Sequence, residues 1–240
     1  MRSSGWPWAL VVNAGRVASF NCLKRVAGQL QLRPVSVSIG LLSLVAVIRA
    51  WLQWIGPVPG DRYAAAHFGS SHPEGYVLRH LTSFFSSLGT PLIAAAVVCV
   101  ALPVLWLRAD RRTTYGLVVA CLVVPLNALL KLISGPTPLW THTYHVGVNF
   151  PSGHVAFVTS VVGYLGWVAA RRHQPVAVVV AMLVVVGMGP ARVVVGAHLV
   201  SDVIAGYLVG GAVLILATSL SDPSAASKHA PQRSESAVHR

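Results

Sequence analysis

Long apolar runs alternate with short polar or basic segments along this chain, and the runs have the length of membrane crossings. The first extends from about Val35 to Ile55, with Trp51 and Trp54 as interfacial anchors at its far end. Arg49 interrupts it, and this side chain either snorkels outward or faces a bundle interior. Residues 56–86 form a polar loop with Asp61, His67, His72 and Glu74, although Val77 to Leu88 is semi-apolar and suited to lying along a surface. A second span covers about Gly89 to Leu107 and leads into the basic turn Arg108-Ala109-Asp110-Arg111-Arg112. The third runs from Thr113 to about Leu130 and ends at Lys131. After a loop over 132–151, with Pro138, Trp140, His142 and His145, a fourth span begins near Ser152 and stops at Arg171-Arg172-His173. The apolar run from Pro175 to Ala217 is too long for one crossing, for which about 20 residues suffice. Gly189-Pro190 and Gly196 mark its reversal, giving a fifth span to about Gly189 and a sixth from about His198.

Composition agrees with that pattern. The 240 residues are 55% hydrophobic and 10% charged, with a mean hydropathy of +0.67. A soluble domain carries about 25% charged residues, so the chain is a membrane protein. Its net charge of +12 would suggest nucleic acid if the basic residues shared a polar face, but they lie between apolar runs. Nucleic acid is therefore not an expected partner. Six spans put both termini on one side. The N-terminal segment, the 108–112 and 171–173 turns and the C-terminal segment then share that side, with thirteen of the eighteen Lys and Arg residues. The positive-inside rule makes it cytoplasmic. The expected fold is all-α: an integral membrane bundle of six transmembrane helices with cytoplasmic N and C termini. Residues 1–34 form a basic cytoplasmic or interfacial arm, 35–218 the six-span domain, and 219–240 a disordered cytoplasmic tail. The three cysteines form no disulfide or zinc pattern.

This topology brings Lys131, His154, Arg192 and His198 to the outer membrane face, with Asp202 one helical turn deeper. Pro151-Ser152-Gly153-His154 opens a helix, where free N–H groups and the positive end of the dipole bind anions. Lys131 and Arg192 add positive charge, the latter with a fork that matches phosphate oxygens. Two histidines beside an anion site suggest phosphoryl transfer, one attacking phosphorus and the other protonating the leaving oxygen. Asp202, four residues after His198, is placed to fix its tautomer.

The spacing Arg-x5-His-x3-Asp, after Pro-Ser-Gly-His and a lysine closing the preceding span, resembles the type 2 phosphatidic acid phosphatase family. Its superfamily includes membrane lipid phosphate phosphatases, soluble acid phosphatases and vanadium haloperoxidases. The resemblance covers roughly residues 35–218. It implies a metal-independent phosphatase with no cofactor, acting on a membrane lipid phosphate or diphosphate of the prenyl phosphate or phosphatidic acid type. His198 would be the nucleophile that forms a phosphohistidine, Asp202 its orienting partner, and His154 the acid and later the base. Lys131, Ser152, Gly153 and Arg192 would hold the phosphate, at a site on the extracytoplasmic side. Its partners would be the lipid substrate and the bilayer, with homo-oligomers left open.

Two positions depart from the family pattern. Pro138 and Leu139 stand where Lys-x6-Arg-Pro expects Arg-Pro, and Ala191 stands where Ser-Arg is usual. A missing arginine removes a contact worth about 1.5–3 kcal/mol. Three other readings compete: a relative that binds phosphorylated lipid without turnover, a transporter with a His198–Asp202 relay, and a metal site of His145, His154, His198 and Asp202. The absence of an internal repeat speaks against transport.

Overall fold

A computed structural model of the chain describes residues 34–68, 76–135 and 150–222. The expected arm up to residue 33, the tail beyond 222, and the loop with Pro138, Leu139, His142 and His145 lie outside the described residues. In chain order the helices are α1 (Pro34–Trp54), α2 (Pro59–His67), α3 (Tyr76–Leu88), α4 (Pro91–Arg108), α5 (Arg111–Cys121) and α6 (Val123–Ser134). They continue as α7 (Gly153–Arg171), α8 (Pro175–Val194) and α9 (Val200–Ser221). Counting α5 and α6 as one, six segments among the described residues are long and apolar enough to cross a membrane. The expected all-α bundle of six membrane helices is present.

Each boundary has a local cause. Asp110 caps α5, its carboxylate accepting from Thr113 N at 2.6 Å. The third span breaks at Leu122, because Pro125 has no N–H to give the Cys121 carbonyl. The fifth span does not end at Gly189 as expected. α8 runs through Pro190 to Val194, because the Tyr207 hydroxyl replaces the missing backbone bond. It lies 2.9 and 3.1 Å from the Val185 and Val186 carbonyls and accepts from Gly189 N at 3.1 Å. The reversal falls instead at Gly196, whose φ of +73° suits a residue without Cβ.

Helix α9 is the hub, packing against α1, α5 and α7. Its contact with α7 is backbone to backbone. A Cβ at Gly206 would lie 2.7 Å from the Ser152 carbonyl oxygen, and one at Gly210 2.6 Å from that of Ala156. Lipid gives helices no hydrophobic reason to associate, so small residues that permit close approach do this work. Polar groups join the other helices. Ser38 Oγ donates to Ala212 O and Ser160 Oγ to Ala120 O, both at 2.8 Å. The buried Tyr164 hydroxyl donates to Thr113 O and meets Ser221 Oγ, both at 2.7 Å. Within α7, Val158–Val162 forms a π-helical turn.

The bundle has two chemically distinct ends. At one, Arg172 donates to the Arg108 carbonyl at 3.2 Å and Arg171 faces Asp222 at 3.8 Å. The basic turns that the sequence assigns to one side therefore meet. The residues expected to bind phosphate lie towards the other end.

Candidate active site

Two helix starts and two helix ends build this region. Ser152 precedes α7 in extended conformation and makes no side-chain cap bond. Its N–H donates instead to the Asp202 carbonyl at 3.0 Å, which ties the start of α7 to the first turn of α9. Ser152 is fully buried, and its hydroxyl has no partner among the described residues. Beside it, Gly153 leaves room for Asn127, whose Nδ2 would stand 3.0 Å from an added Cβ.

The turn from α8 into α9 folds back on Arg192, whose carbonyl accepts from Ala197 N at 3.0 Å and His198 N at 3.1 Å. Leu199 is extended and begins α9. The Asp202 carboxylate accepts from Leu199 N at 3.1 Å, the acidic half of a capping box. The same oxygen lies 3.4 Å from His198 Nδ1, a long contact that leaves Nε2 as the other ring nitrogen. His198 is only 6% exposed and Asp202 not at all. Burial pushes the His198 imidazole below its ordinary pKa, and the Asp202 hydrogen bond opposes this. The neutral ring is favoured.

The remaining expected residues converge here. Lys131, in the last turn of α6, and Arg192, in the last turn of α8, repel one another electrostatically. Both act on His154 and His198, and His198 acts on His154. Arg192 Nη1 bonds Ser86 Oγ of α3, while its buried Nε has no partner among the described residues. Lys131, Ser152, Gly153, His154, Arg192, His198 and Asp202 thus form one neighbourhood. Among the described residues, no group of three or more His, Cys, Asp or Glu side chains is placed to hold a metal.

Three neighbours escaped sequence reasoning, and a fourth, Arg49, is open in sequence to two orientations. Asp61 of α2 is fully buried, and its Oδ1 accepts from Ser201 N, in the first turn of α9, at 2.8 Å. Burial raises its pKa; the hydrogen bond from Ser201 N opposes the rise and Asp202 adds to it. Gly89 lies against His154, whose Cδ2 would stand 2.6 Å from an added Cβ. Ser86 holds Arg192. Arg49 turns into the bundle, its Nη2 donating to the Ser134 carbonyl at the end of α6 and to Gln53 Oε1. In sequence, Asp61 reads only as a residue of the polar loop and Gly89 as the first residue of the second span.

Fold and site together define a multi-pass membrane bundle with a cationic, histidine-bearing centre at one end. A family model described as the PAP2 superfamily matches residues 76–224, more than half of the chain, and the chain belongs to that superfamily. Among solved structures it is similar to the first transmembrane PAP2 type phosphatidylglycerolphosphate phosphatase from Bacillus subtilis. That match has a TM-score of 0.60 and 17% identity, and covers 82% of this chain and 98% of the other. At that identity it shows a shared fold. No curated protein sequence matches the chain.

Proposed function

We propose that this protein hydrolyses a membrane lipid phosphate or diphosphate at the extracytoplasmic face, through a phosphohistidine. The observation that carries the reading is the Ser152 N–H to Asp202 carbonyl bond. It joins the start of the His154 helix to the start of the helix behind His198, with two cations alongside.

In this reading the lipid phosphate enters between Lys131 and Arg192, against the N–H groups at the start of α7. His198 Nε2 attacks phosphorus, while Asp202 at Nδ1 steadies the imidazolium that forms. As the P–O bond breaks, His154 gives its proton to the leaving oxygen. His154 then removes a proton from water, which attacks the phosphohistidine and releases inorganic phosphate, restoring both rings. Lys131 and Arg192 balance the charge on the phosphoryl oxygens. None of these steps calls on a metal or a cofactor. Charge supports this facing: the Arg108–Arg112 and Arg171–Arg172 turns lie at the opposite end of the bundle, and basic turns tend to stay cytoplasmic.

The test is phosphate release by the purified protein in detergent, with chelator present, from prenyl phosphates, prenyl diphosphates and phosphatidic acid. Loss of at least about 10³-fold in both His198→Ala and His154→Ala is expected. An inert wild type that still binds lipid phosphate would support binding without turnover instead. Loss of release with chelator would return the metal reading.

A further inference from the structure

Arg49 is the one charged residue in the stretch 35–55. A cation inside an apolar span is costly, and such residues usually face the bundle interior and serve a function. Arg49 follows that pattern. Its guanidinium bonds the Ser134 carbonyl, one helical turn beyond Lys131. The Asp202 carboxylate attracts both Arg49 and Lys131, so the Arg49 charge is felt at the site from the side of α1.

Arg49 also stands on the wall of a cavity of about 470 Å³ between α1 and α6. Leu42, Val45, Leu130, Ile133 and Phe150 make the wall apolar, and Arg49 is its one charged group. Phe150 leads directly into Pro151 and Ser152, so the cavity adjoins the start of α7. Neither His154 nor His198 lines it. An apolar pocket with one cation, bordering a separate anion centre, suits an amphiphile with two anionic groups in line. The chain fills the pocket, the first anionic group meets Arg49, and the second reaches the histidines.

We propose that Arg49 binds the chain-proximal phosphoryl group of a lipid diphosphate and makes the enzyme prefer diphosphate over monophosphate substrates. This rests on the phosphatase reading above. In that pose His198 Nε2 bonds to the terminal phosphorus as the bond from that phosphorus to the bridging oxygen breaks. The lipid monophosphate leaves with the proton from His154, its phosphate against Arg49. Water then converts the phosphohistidine to inorganic phosphate and free His198. The loop over 132–151 contains no Arg or Lys. A purely structural Arg49, which only satisfies the last carbonyls of α6, predicts equal losses on every substrate.

The experiment compares phosphate release from farnesyl diphosphate and farnesyl monophosphate by the full-length wild type, Arg49→Gln and Arg49→Lys. Wild type should favour the diphosphate in kcat/KM by about tenfold or more. Arg49→Gln should lower diphosphate kcat/KM about 10- to 100-fold, at least about ten times more than it lowers the monophosphate value. Arg49→Lys should recover part of that loss. Equal losses on both substrates would overturn the proposal. A second measurement reads Arg49 without turnover: equilibrium binding of both lipids in a His198→Ala background. Adding Arg49→Gln should weaken diphosphate binding at least about fivefold more than monophosphate binding; unselective weakening would overturn the proposal. A wild type inert on every lipid phosphate would sink the phosphatase reading, and the binding comparison would still decide Arg49.

Discussion

Replacing Gly206 with alanine puts a methyl group into the seam where α7 and α9 touch. The new Cβ would lie 2.7 Å from Ser152 O, 3.0 Å from Val155 Cβ and 3.2 Å from Ser152 Cβ. Ordinary carbon contacts need about 3.5 Å or more, so the helices must separate by roughly half an ångström. Ser152 O cannot swing aside, because it accepts the first α7 bond, from Ala156 N at 3.0 Å. Overpacking of this kind costs about 1–3 kcal/mol. The larger effect is geometric. The same movement stretches the Ser152 N to Asp202 O bond and draws His154 away from His198. A misplacement of about 1 Å can cost about 10²-fold in rate, so roughly half that distance should lower kcat about tenfold. Gly211 supplies the control on the same helix. A Cβ there meets only Leu41 Cδ1, at 3.8 Å, and alanine there should be neutral or stabilising by up to about 1 kcal/mol. The assay is phosphate release at saturating substrate, with thermal unfolding in the same detergent. If Gly206→Ala matched Gly211→Ala within about twofold in kcat and in thermal midpoint, the seam would not set the site geometry.

Two further substitutions test residues that only the fold reveals. Gly89→Ala drives a methyl group against the His154 ring and should lower kcat about tenfold or more with little loss of folded protein, read by phosphate release and unfolding; unchanged kcat would mean the ring has room to move. Asp61→Ala leaves Ser201 N–H without its acceptor and should destabilise the protein by about 1–3 kcal/mol, whereas Asp61→Asn, which keeps an oxygen there, should lose less. The Asp61 pKa is raised on folding, so the native state binds its proton more tightly than the unfolded chain does. Its contribution is full below the ordinary carboxylate value and fades as pH rises through the raised one. The thermal midpoint of wild type should therefore fall relative to Asp61→Asn as pH rises across that window, and a constant difference would refute the assignment.

Much of this fold was legible because membrane thickness fixes span lengths and leaves basic residues at the turns. Helical spacing anticipates the pairing of His198 with Asp202, but the structure makes it another way: His198 precedes α9 and Leu199 is extended, so the Asp202 carboxylate reaches back from the first turn to Leu199 N and His198 Nδ1. Where the structure departs from the sequence pattern, a distant residue is responsible. Pro190 signals a stop, and only Tyr207, from the next helix, lets α8 continue past it. Asp61, Gly89 and Arg49 come from segments far from the motifs, and tertiary packing alone brings them to the site. The Gly206-x3-Gly210 spacing stood in plain view, but it names no partner helix until α7 is seen against it. The sequence allows Arg49 two orientations, and its bond to Ser134 selects the inward one.

The α7–α9 seam and the α1–α6 pocket are made by different helices. The seam tolerates almost no change, since single methyl groups at Gly206 or Gly210 collide with backbone. The pocket wall of Leu42, Val45, Leu130 and Ile133 is less restricted, because aliphatic side chains of similar volume exchange for one another at a cost below about 1.5 kcal/mol. If the pocket holds the lipid chain as proposed, drift in the first and third spans reshapes what the protein accepts while the seam keeps its geometry. A lineage built on this plan can diversify its diet without reinventing its teeth.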